Sequence, residues 1–517
     1  MPVNPRQVVI LSVPHCEPFP MVAPALLSSC LNQAGIPARG IDFAIEFLEN
    51  FAPTPHWLKL KHHFLHSWAG TYHLQPSVFK SVYRFTKKFL DNVVHMHDPQ
   101  YIGISIFSVD SLDFGLFMAY LIRRHHPKLK IIAGGRGLQV PHLNKEYHYN
   151  MWNRYGVADI IVVGDAEFEI IDTIQQGKQG VVFAKDQTQE DLDNIPLVDW
   201  DEYDTKKYPA LRQYADTKGT INSQKIWEPN LAITASKGCV RKCTFCDVAK
   251  FWPKYIWRDP AKVAREMIHN YRETGIRKFH FTDNLINGSI SHYREMNRIL
   301  ATEVPGEIKY QGYAIFRGRD QMPENDFRLA AAAGCVKWIV GVESGSEKIR
   351  NQMGKKFSNA DLDWSIEMLV KYNIEQVWLL MVGYPSETDE DFEDTITLLK
   401  KYRELGASRR VQIGITPTFM LTPNSPLLSD PLLADTYGLS HNLQNESYAK
   451  FWTSTINPGN TYDVRSLRHR QVLETLDLCD YELHDGTNID KSLQELKHLD
   501  RAYDDKKNKT IPILATS

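Results

Sequence analysis

Apolar positions in the first ~185 residues fall into two alternating kinds of block. Short continuous runs such as "QVVILSV" read as buried strands. Longer striped segments such as "VAPALLSSCLNQAG", stopped by Gly35, read as helices with one apolar face. "IPARGIDF" is a second strand and "YIGISIFS" a third, followed by the helix "DFGLFMAYLIRRHHP", which Pro127 closes. "KIIAGG" is a fourth strand, and "ADIIVVGD" a fifth with its helix "EFEIIDTIQQG". Strands this apolar, separated by helical crossovers, predict a parallel sheet covered on both faces. Ligands of such sheets bind at the carboxyl ends of the strands. Here those ends read "SVPH", "SVDS", "AGGRG" and "VGDAE".

An insert over residues ~45–98 interrupts this pattern with "HWLKLKHHFLHSW" and "VFKSVYRFTKKFL". It predicts one or two amphipathic helices with a solvated basic face. The same face would also steer a large anionic substrate, and His62, His63 and His66 are the weakest metal-site candidates because no carboxylate or thiol shares their spacing. Residues 186–228 have weak periodicity and many turn formers, and read as a linker. From residue 229 the alternation resumes with "LAITASKG", "KFHFTDN", "IKYQGYAIF", "VKWIVGVE", "VWLLMVGYP" and "VQIGITPTF". Six strand–helix units predict an open or closed parallel barrel. After residue ~430 the strand signal fades, and "VRSLRHRQVLETLDLCDYEL" and "IDKSLQELKHLDRAYDD" read as helices. The expected fold is α/β: a Rossmann-like parallel sheet domain (1–185), a linker (186–228), a barrel (229–430) and a C-terminal helical region (431–517).

Composition narrows the classes. The 517 residues are too many for one ordinary core. With 43% hydrophobic and 24% charged residues the chain is globular rather than disordered. A formal net charge of −2 provides no global field toward nucleic acid or an anionic membrane, though it leaves a nucleic acid substrate open. No run of about 18 apolar residues suggests a membrane span. The apolar run near the N-terminus is broken by Pro14 and reads as a strand rather than a signal peptide. Seven cysteines, four of them scattered, suit a reducing cytoplasm with one soft-ligand site and not a disulfide framework.

Three of those cysteines, Cys239, Cys243 and Cys246, sit in "KGCVRKCTFCDV", just after the first barrel strand. Thiolates select zinc or iron–sulfur. A structural zinc would want a fourth closed ligand, whereas three thiolates on a cubane leave one iron open. The C-x3-C-x-aromatic-C spacing resembles the signature of the radical SAM superfamily, with Phe245 as the aromatic. That resemblance implies a partial (β/α)6 TIM-like barrel and a 4Fe–4S cluster whose open iron chelates S-adenosylmethionine. An electron then splits the cosubstrate and yields a deoxyadenosyl radical.

By the same resemblance Phe245 helps place the adenine. Asp283 and Asn284, ending the second strand where the family has Gly-Gly-Glu, receive the amino group, and Arg317 meets the carboxylate. In "GVESGS", Glu343 accepts from the ribose hydroxyls with Ser344 in support. Gly383 in "MVGYPSET" lets the backbone approach the adenine. Thr388 and Asp391 read as a capping-box start, which makes Glu387 as much structural as catalytic. Trp252, Tyr255 and Trp257 read as core packing, with a substrate path as the alternative.

The N-terminal stretch "GISIFSVDS…IIAGG…VVGDAEFE" resembles the cobalamin-binding domain of one radical SAM subclass. Ser105 then lies near the nucleotide tail of cobalamin, with Gly134 and Gly135 beneath it. The D-x-H-x-x-G motif that ligates cobalt in other cobalamin proteins is absent. His15 and Cys16 occupy that loop at a different spacing. No second cysteine cluster argues for an auxiliary cluster. Cys335 and Cys479 read as buried small hydrophobes, with a hydrogen-donor role as the alternative. The functions implied are a cobalamin-dependent methyltransferase acting on an unactivated carbon, or a radical SAM rearrangement, cyclisation or oxidation. A zinc-bearing binding protein is the contrasting class. Either enzyme implies an electron donor of flavodoxin or ferredoxin type and a substrate beneath the N-terminal domain.

Overall fold

The runs "VVILS" and "YIGIS" are buried at all five positions, as strands covered on both faces are, and they pair side by side in the N-terminal sheet. The computed structural model describes residues 5–14, 20–54, 60, 76–139, 146–200, 203–205, 207–208, 230–416, 418–441, 449, 451–484, 489 and 493. Strands β1 (Val8–Ser12), β2 (Ala38–Ile41), β3 (Tyr101–Ser105), β4 (Lys130–Gly134), β5 (Ile160–Val163) and β6 (Gly180–Phe183) form one parallel sheet in the order β2-β1-β3-β4-β5-β6. Alternation along β1 splits the core. Val9 and Leu11 pack with Phe43, Phe47 and Phe114, while Val8 and Ile10 pack with Leu31, Ile170 and Ile174. The register aligns Ser12 with Ser105 and Ser105 with Gly134, so three strand ends finish level.

Strand β6 was not among the sequence expectations. It is an edge strand with no fully buried residue, so it lacks the continuous apolar run that marks its neighbours. Of the two insert segments expected as helices, "HWLKLKHHFLHSW" lies outside the described residues except for Leu60, and the second lies in the helix Pro76–His97. That helix buries Val78, Val82, Leu90 and Val93 at helical spacing and leaves its basic side outward. His62, His63 and His66, like His15 and Cys16, lie outside the described residues.

The linker is a packed strap over its described part. A short helix, Gln189–Asp193, starts at a Thr188–Asp191 capping box. Trp200, Tyr203 and Tyr208 are buried, and the two tyrosine hydroxyls reach back: Tyr203 donates to the Met21 carbonyl at 2.9 Å and Tyr208 to Asp42 at 2.7 Å. Three aromatics in a polar stretch carry no periodicity, which is why the composition read as linker.

The second sheet begins with β7 (Asn230–Ile233). A small ribbon of β8 (Ser236–Lys237) and β9 (Ile256–Trp257) brackets the cysteine loop. Strands β10 (Lys278–Phe281), β11 (Lys309–Ala314), β12 (Cys335–Glu343), β13 (Glu375–Leu380) and β14 (Val411–Ile415) continue the parallel series. A β15–β16 pair (Leu439–Ser440, Thr453–Ser454) and β17 (Glu482–Leu483) follow. The order β17-β14-β13-β12-β11-β10-β7 makes an open barrel of seven strands, one more than the six expected. The extra strand comes from the region expected to be helical. Two residues are too short a signal to read in sequence. The helix Tyr462–Leu478 bears out the first C-terminal helix, and most of the second lies outside the described residues.

Candidate active site

The loop between β8 and the helix Val248–Phe251 carries all three clustered cysteines. Cys243 is buried, and Cys239 and Cys246 are half-buried. The loop is held by its backbone. Cys246 N–H donates to the Cys243 carbonyl at 3.1 Å, Thr244 N–H to the Met353 carbonyl at 3.0 Å, and Leu427 N–H to the Thr244 carbonyl at 2.9 Å. The Thr244 hydroxyl meets the Tyr384 hydroxyl at 2.8 Å. Arg241 N–H points at Cys239 Sγ from 3.4 Å, the kind of N–H donor that thiolate-bound clusters use. Burial pushes the Cys243 thiol up to about 12, against the pull of the Lys355 charge. Among the described residues no three His, Cys, Asp or Glu side chains are disposed to share a single metal ion. A tetrahedral zinc needs that convergence, whereas a cubane spreads its thiolates over three irons. The donor set fits an iron–sulfur cluster better than one ion.

The residues expected to hold S-adenosylmethionine come together at the carboxyl ends of β10 to β13, but several are already engaged. Asp283 is buried and accepts from the Ser236 hydroxyl at 2.5 Å and Ala235 N–H at 2.9 Å. Burial pushes its carboxyl up to about 7. It joins the cysteine-loop flank to β10, and Asn284 beside it faces the interdomain cavity. Arg317 donates to the Asn287 and Gly288 carbonyls at 3.1 and 3.0 Å, and Cys239 is among the charges it feels. Ser344 is fully buried and accepts from Ser346 N–H at 3.1 Å, so it shapes the turn. Phe245 is half-buried, edge-on to Phe419 at 6.4 Å.

Glu343 is buried with φ of 66°, a left-handed conformation that costs a non-glycine residue about 1–2 kcal/mol. Lys355 Nζ lies 2.6 Å from its carboxylate. Gly383 departs from its expectation of a ligand-facing glycine: a Cβ there would collide with the Arg465 side chain of the C-terminal helix. The absent side chain makes room for that helix. Glu387 is structural, fully buried, and accepts from Gly383 N–H at 2.7 Å and Arg468 at 2.9 Å. Thr388 and Asp391 form the expected capping box. Cys335 begins β12, at the end opposite Glu343, and receives the Tyr293 hydroxyl at 3.7 Å, so a hydrogen-donor role at the mouth is not supported. Cys479 caps the C-terminal helix in the core.

A cavity of about 290 Å³ lies between the two sheets. Ser105, Gly134 and Gly135 line it from the N-terminal sheet, as expected from sequence; Thr234, Ser236 and Lys237 line it from the barrel. Trp252 does too, and its indole N–H donates to Asp165 at 2.9 Å, so it is an interdomain wall rather than core. Tyr255 donates to the Leu285 carbonyl at 3.2 Å, and Trp257 packs edge-on to His292.

Sequence reasoning missed two lysines. Lys237, from the barrel, reaches Glu167 at 2.6 Å and Asp165 at 3.0 Å in the N-terminal domain. Burial opposes its charge, yet the two carboxylates hold its ammonium above the ordinary value. Arg136 and Asp247 form a second bridge between the domains at 3.0 Å. Lys355, the other missed residue, follows a helix end that nothing in the local sequence ties to the cysteines.

Comparison with known proteins meets this geometry. Residues 233–399, from β7 through the helix after β13, match the model of the radical SAM superfamily. The chain carries a radical SAM domain. The chain is similar to the cytidylyl-2-hydroxyethylphosphonate methyltransferase of Streptomyces wedmorensis, 29% identical over 183 residues, 35% of this chain and 32% of that one. The anaerobic magnesium-protoporphyrin IX monomethyl ester cyclase of Synechocystis is 22% identical over 319 residues, 58% of each chain. The match thus spans from about a third to somewhat over half the length of these two relatives. Among solved structures, the radical S-adenosylmethionine methyltransferase TsrM of Kitasatospora setae, with cobalamin and a [4Fe-4S] cluster bound, superimposes with a TM-score of 0.58 at 16% identity, covering 84% of this chain and 81% of that one. At that identity the likeness is one of fold, and it extends beyond the radical SAM domain to the N-terminal sheet. No helix among the described residues is long and apolar enough to cross a membrane.

Proposed function

We propose that the chain is a radical SAM enzyme that cleaves S-adenosylmethionine at a 4Fe–4S cluster and uses a corrinoid in the interdomain cavity to methylate an unactivated carbon. The observation that carries this reading is the cavity itself, walled by the N-terminal strand ends on one side and by the cysteine-loop flank on the other. Cys239, Cys243 and Cys246 would hold the cluster, which supplies an electron for cosubstrate cleavage, while the corrinoid supplies a methyl carrier.

The chain's own residues divide the remaining work. Ile10, Leu26, Ile132, Val162 and Ile170 make an apolar slot over the sheet, matched to the flat base of a nucleotide tail. The whole cavity, about 290 Å³, is smaller than a complete corrinoid, so the slot would take the tail alone. Ser105 offers a hydroxyl, and Gly134 and Gly135 offer bare backbone beside it. Asn284 and Arg317 present polar groups for the cosubstrate at the barrel mouth. Glu343, already held by Lys355, presents a carboxylate suited to ribose hydroxyls. The helix Tyr462–Leu478 packs on the turn after β13 and shields the mouth from water. Electrons would come from a one-electron carrier of flavodoxin or ferredoxin type.

Rearrangement, cyclisation or oxidation would use the same residues, and the cyclase relative favours keeping that second reading. Anaerobic reconstitution with iron, sulfide and hydroxocobalamin separates them. Methylation predicts both 5′-deoxyadenosine and S-adenosylhomocysteine from S-adenosylmethionine. Deoxyadenosine alone supports the second reading. A colourless protein with one zinc overturns both.

A further inference from the structure

The helix Glu347–Met353 ends in a way that fixes the next residue. Gly354, at φ 88°, donates its N–H to the Asn351 carbonyl at 3.0 Å, and Lys355 N–H donates to the Arg350 carbonyl at 2.9 Å. This is a Schellman closure, which needs glycine at the left-handed position. The same helix end is bonded to the cysteine loop through Thr244 N–H and the Met353 carbonyl, and a Cβ on Gly354 would stand 3.4 Å from Cys243 Cα. Lys355 therefore enters beneath the loop.

Its ammonium is nearly sealed from solvent, with a side chain 11% exposed. It lies 5.7 Å above the Phe245 ring and 2.6 Å from Glu343. Gly341 makes the space, since a Cβ there would collide with both the Glu343 carboxylate and the Lys355 ammonium. Cys243 and Cys246 are the next charges it feels after Glu343. A cation has thus been placed, by a helix cap and a bare glycine, against the carboxylate expected to meet the cosubstrate and over the aromatic ring that sits between Cys243 and Cys246 in the sequence.

We propose that Lys355 sets the reduction potential of the cluster held by Cys239, Cys243 and Cys246, and positions Glu343; this rests on the iron–sulfur reading above. A thiolate-bound cluster is anionic, and one added electron deepens that charge without making or breaking a bond. A buried cation in a low-dielectric surround offsets it and favours the reduced state. Glu343 opposes the effect, so the pair acts as a fixed dipole beside the cluster.

The test is an anaerobic titration of the reconstituted full chain with dithionite and mediators, followed by electron paramagnetic resonance without cosubstrate. Lys355→Met should lower the midpoint enough to cut the reduced-to-oxidised ratio about tenfold at fixed poise, equivalent to about 59 mV for one electron. Lys355→Arg should restore it. Glu343→Gln, which leaves the cation uncompensated, should shift it the opposite way, and decides the matter should Lys355→Met not load. A fully loaded Lys355→Met with an unmoved midpoint overturns the proposal, as does an unmoved Glu343→Gln when Lys355→Met does not load. If the unaltered chain itself assembles no 4Fe–4S cluster, the iron–sulfur reading is what has failed.

Discussion

The two sheets facing the cavity reach it with opposite chemistry. From the N-terminal sheet come small side chains and bare backbone, Ser105, Gly134 and Gly135, over a floor of Ile and Leu. From the barrel comes Lys237, held by Asp165 and Glu167 of the N-terminal domain, while the three thiols, Asp283, Arg317 and the Glu343–Lys355 pair lie outside the cavity lining. We propose that the first wall takes its ligand by shape, while the ion pairs of Lys237 with Asp165 and Glu167 join the two walls. A large ligand resting on the first wall would need no strong anchor there, because close approach of backbone is itself the recognition. The two buried lysines of the barrel, Lys237 and Lys355, are each held against carboxylates.

That contrast can be broken at either wall, and the effects should differ in size. Cys243→Ala should abolish the brown chromophore and cosubstrate cleavage together, measured by absorbance and by deoxyadenosine formation, while corrinoid retention survives. Lys237→Met leaves Glu167 and Asp165 buried without their cation, and should cost about 3 kcal/mol in denaturant unfolding. Ser105→Leu fills the shape-reading wall. It should weaken corrinoid binding about tenfold, ~1.4 kcal/mol, with iron and sulfide content unchanged.

The smallest effect is a pH slope. Asp283 in the folded chain has a carboxyl raised from its ordinary 3.8 to about 7 by burial. The folded state thus prefers the protonated form. Its contribution is greatest below the ordinary carboxylate range, declines as pH rises toward about 7, and is flat above. Asp283→Asn should flatten that slope in thermal melts of the apo-protein. Weakened cosubstrate binding in the same variant would show that the carboxyl also reaches the ligand.

The shape-reading wall was legible in sequence because it is local. Ser105 and Gly134 end strands whose apolar runs announce themselves, and both line the cavity. The cysteines were legible because all three lie within one loop. Lys237 and Lys355 were not. "SKGC" and "GKKF" are ordinary lysine contexts, and their meaning appears only when β8 meets the turn and helix after β5 across the domains and the helix after β12 meets the cysteine loop. Gly383 was misjudged for the same reason: its neighbour, Arg465, is 82 positions on and arrives with the C-terminal helix. Strand β17 has only two residues, and the aromatic strap after Thr188 has no period. Local pattern finds what one element does alone, and long-range pairing of charges leaves no such trace.

The central claim is that the chain holds two cofactors, a corrinoid in the interdomain cavity and a cluster on the cysteine loop whose flank, Ser236 and Lys237, lines that cavity. Its most direct measurement is the cofactor content of the full chain after anaerobic reconstitution with iron, sulfide and hydroxocobalamin, then gel filtration. The account predicts a complete 4Fe–4S complement together with one corrinoid per chain, with Ser105→Leu losing only the corrinoid and Cys243→Ala only the cluster. A chain that loads its cluster yet elutes free of corrinoid would contradict it.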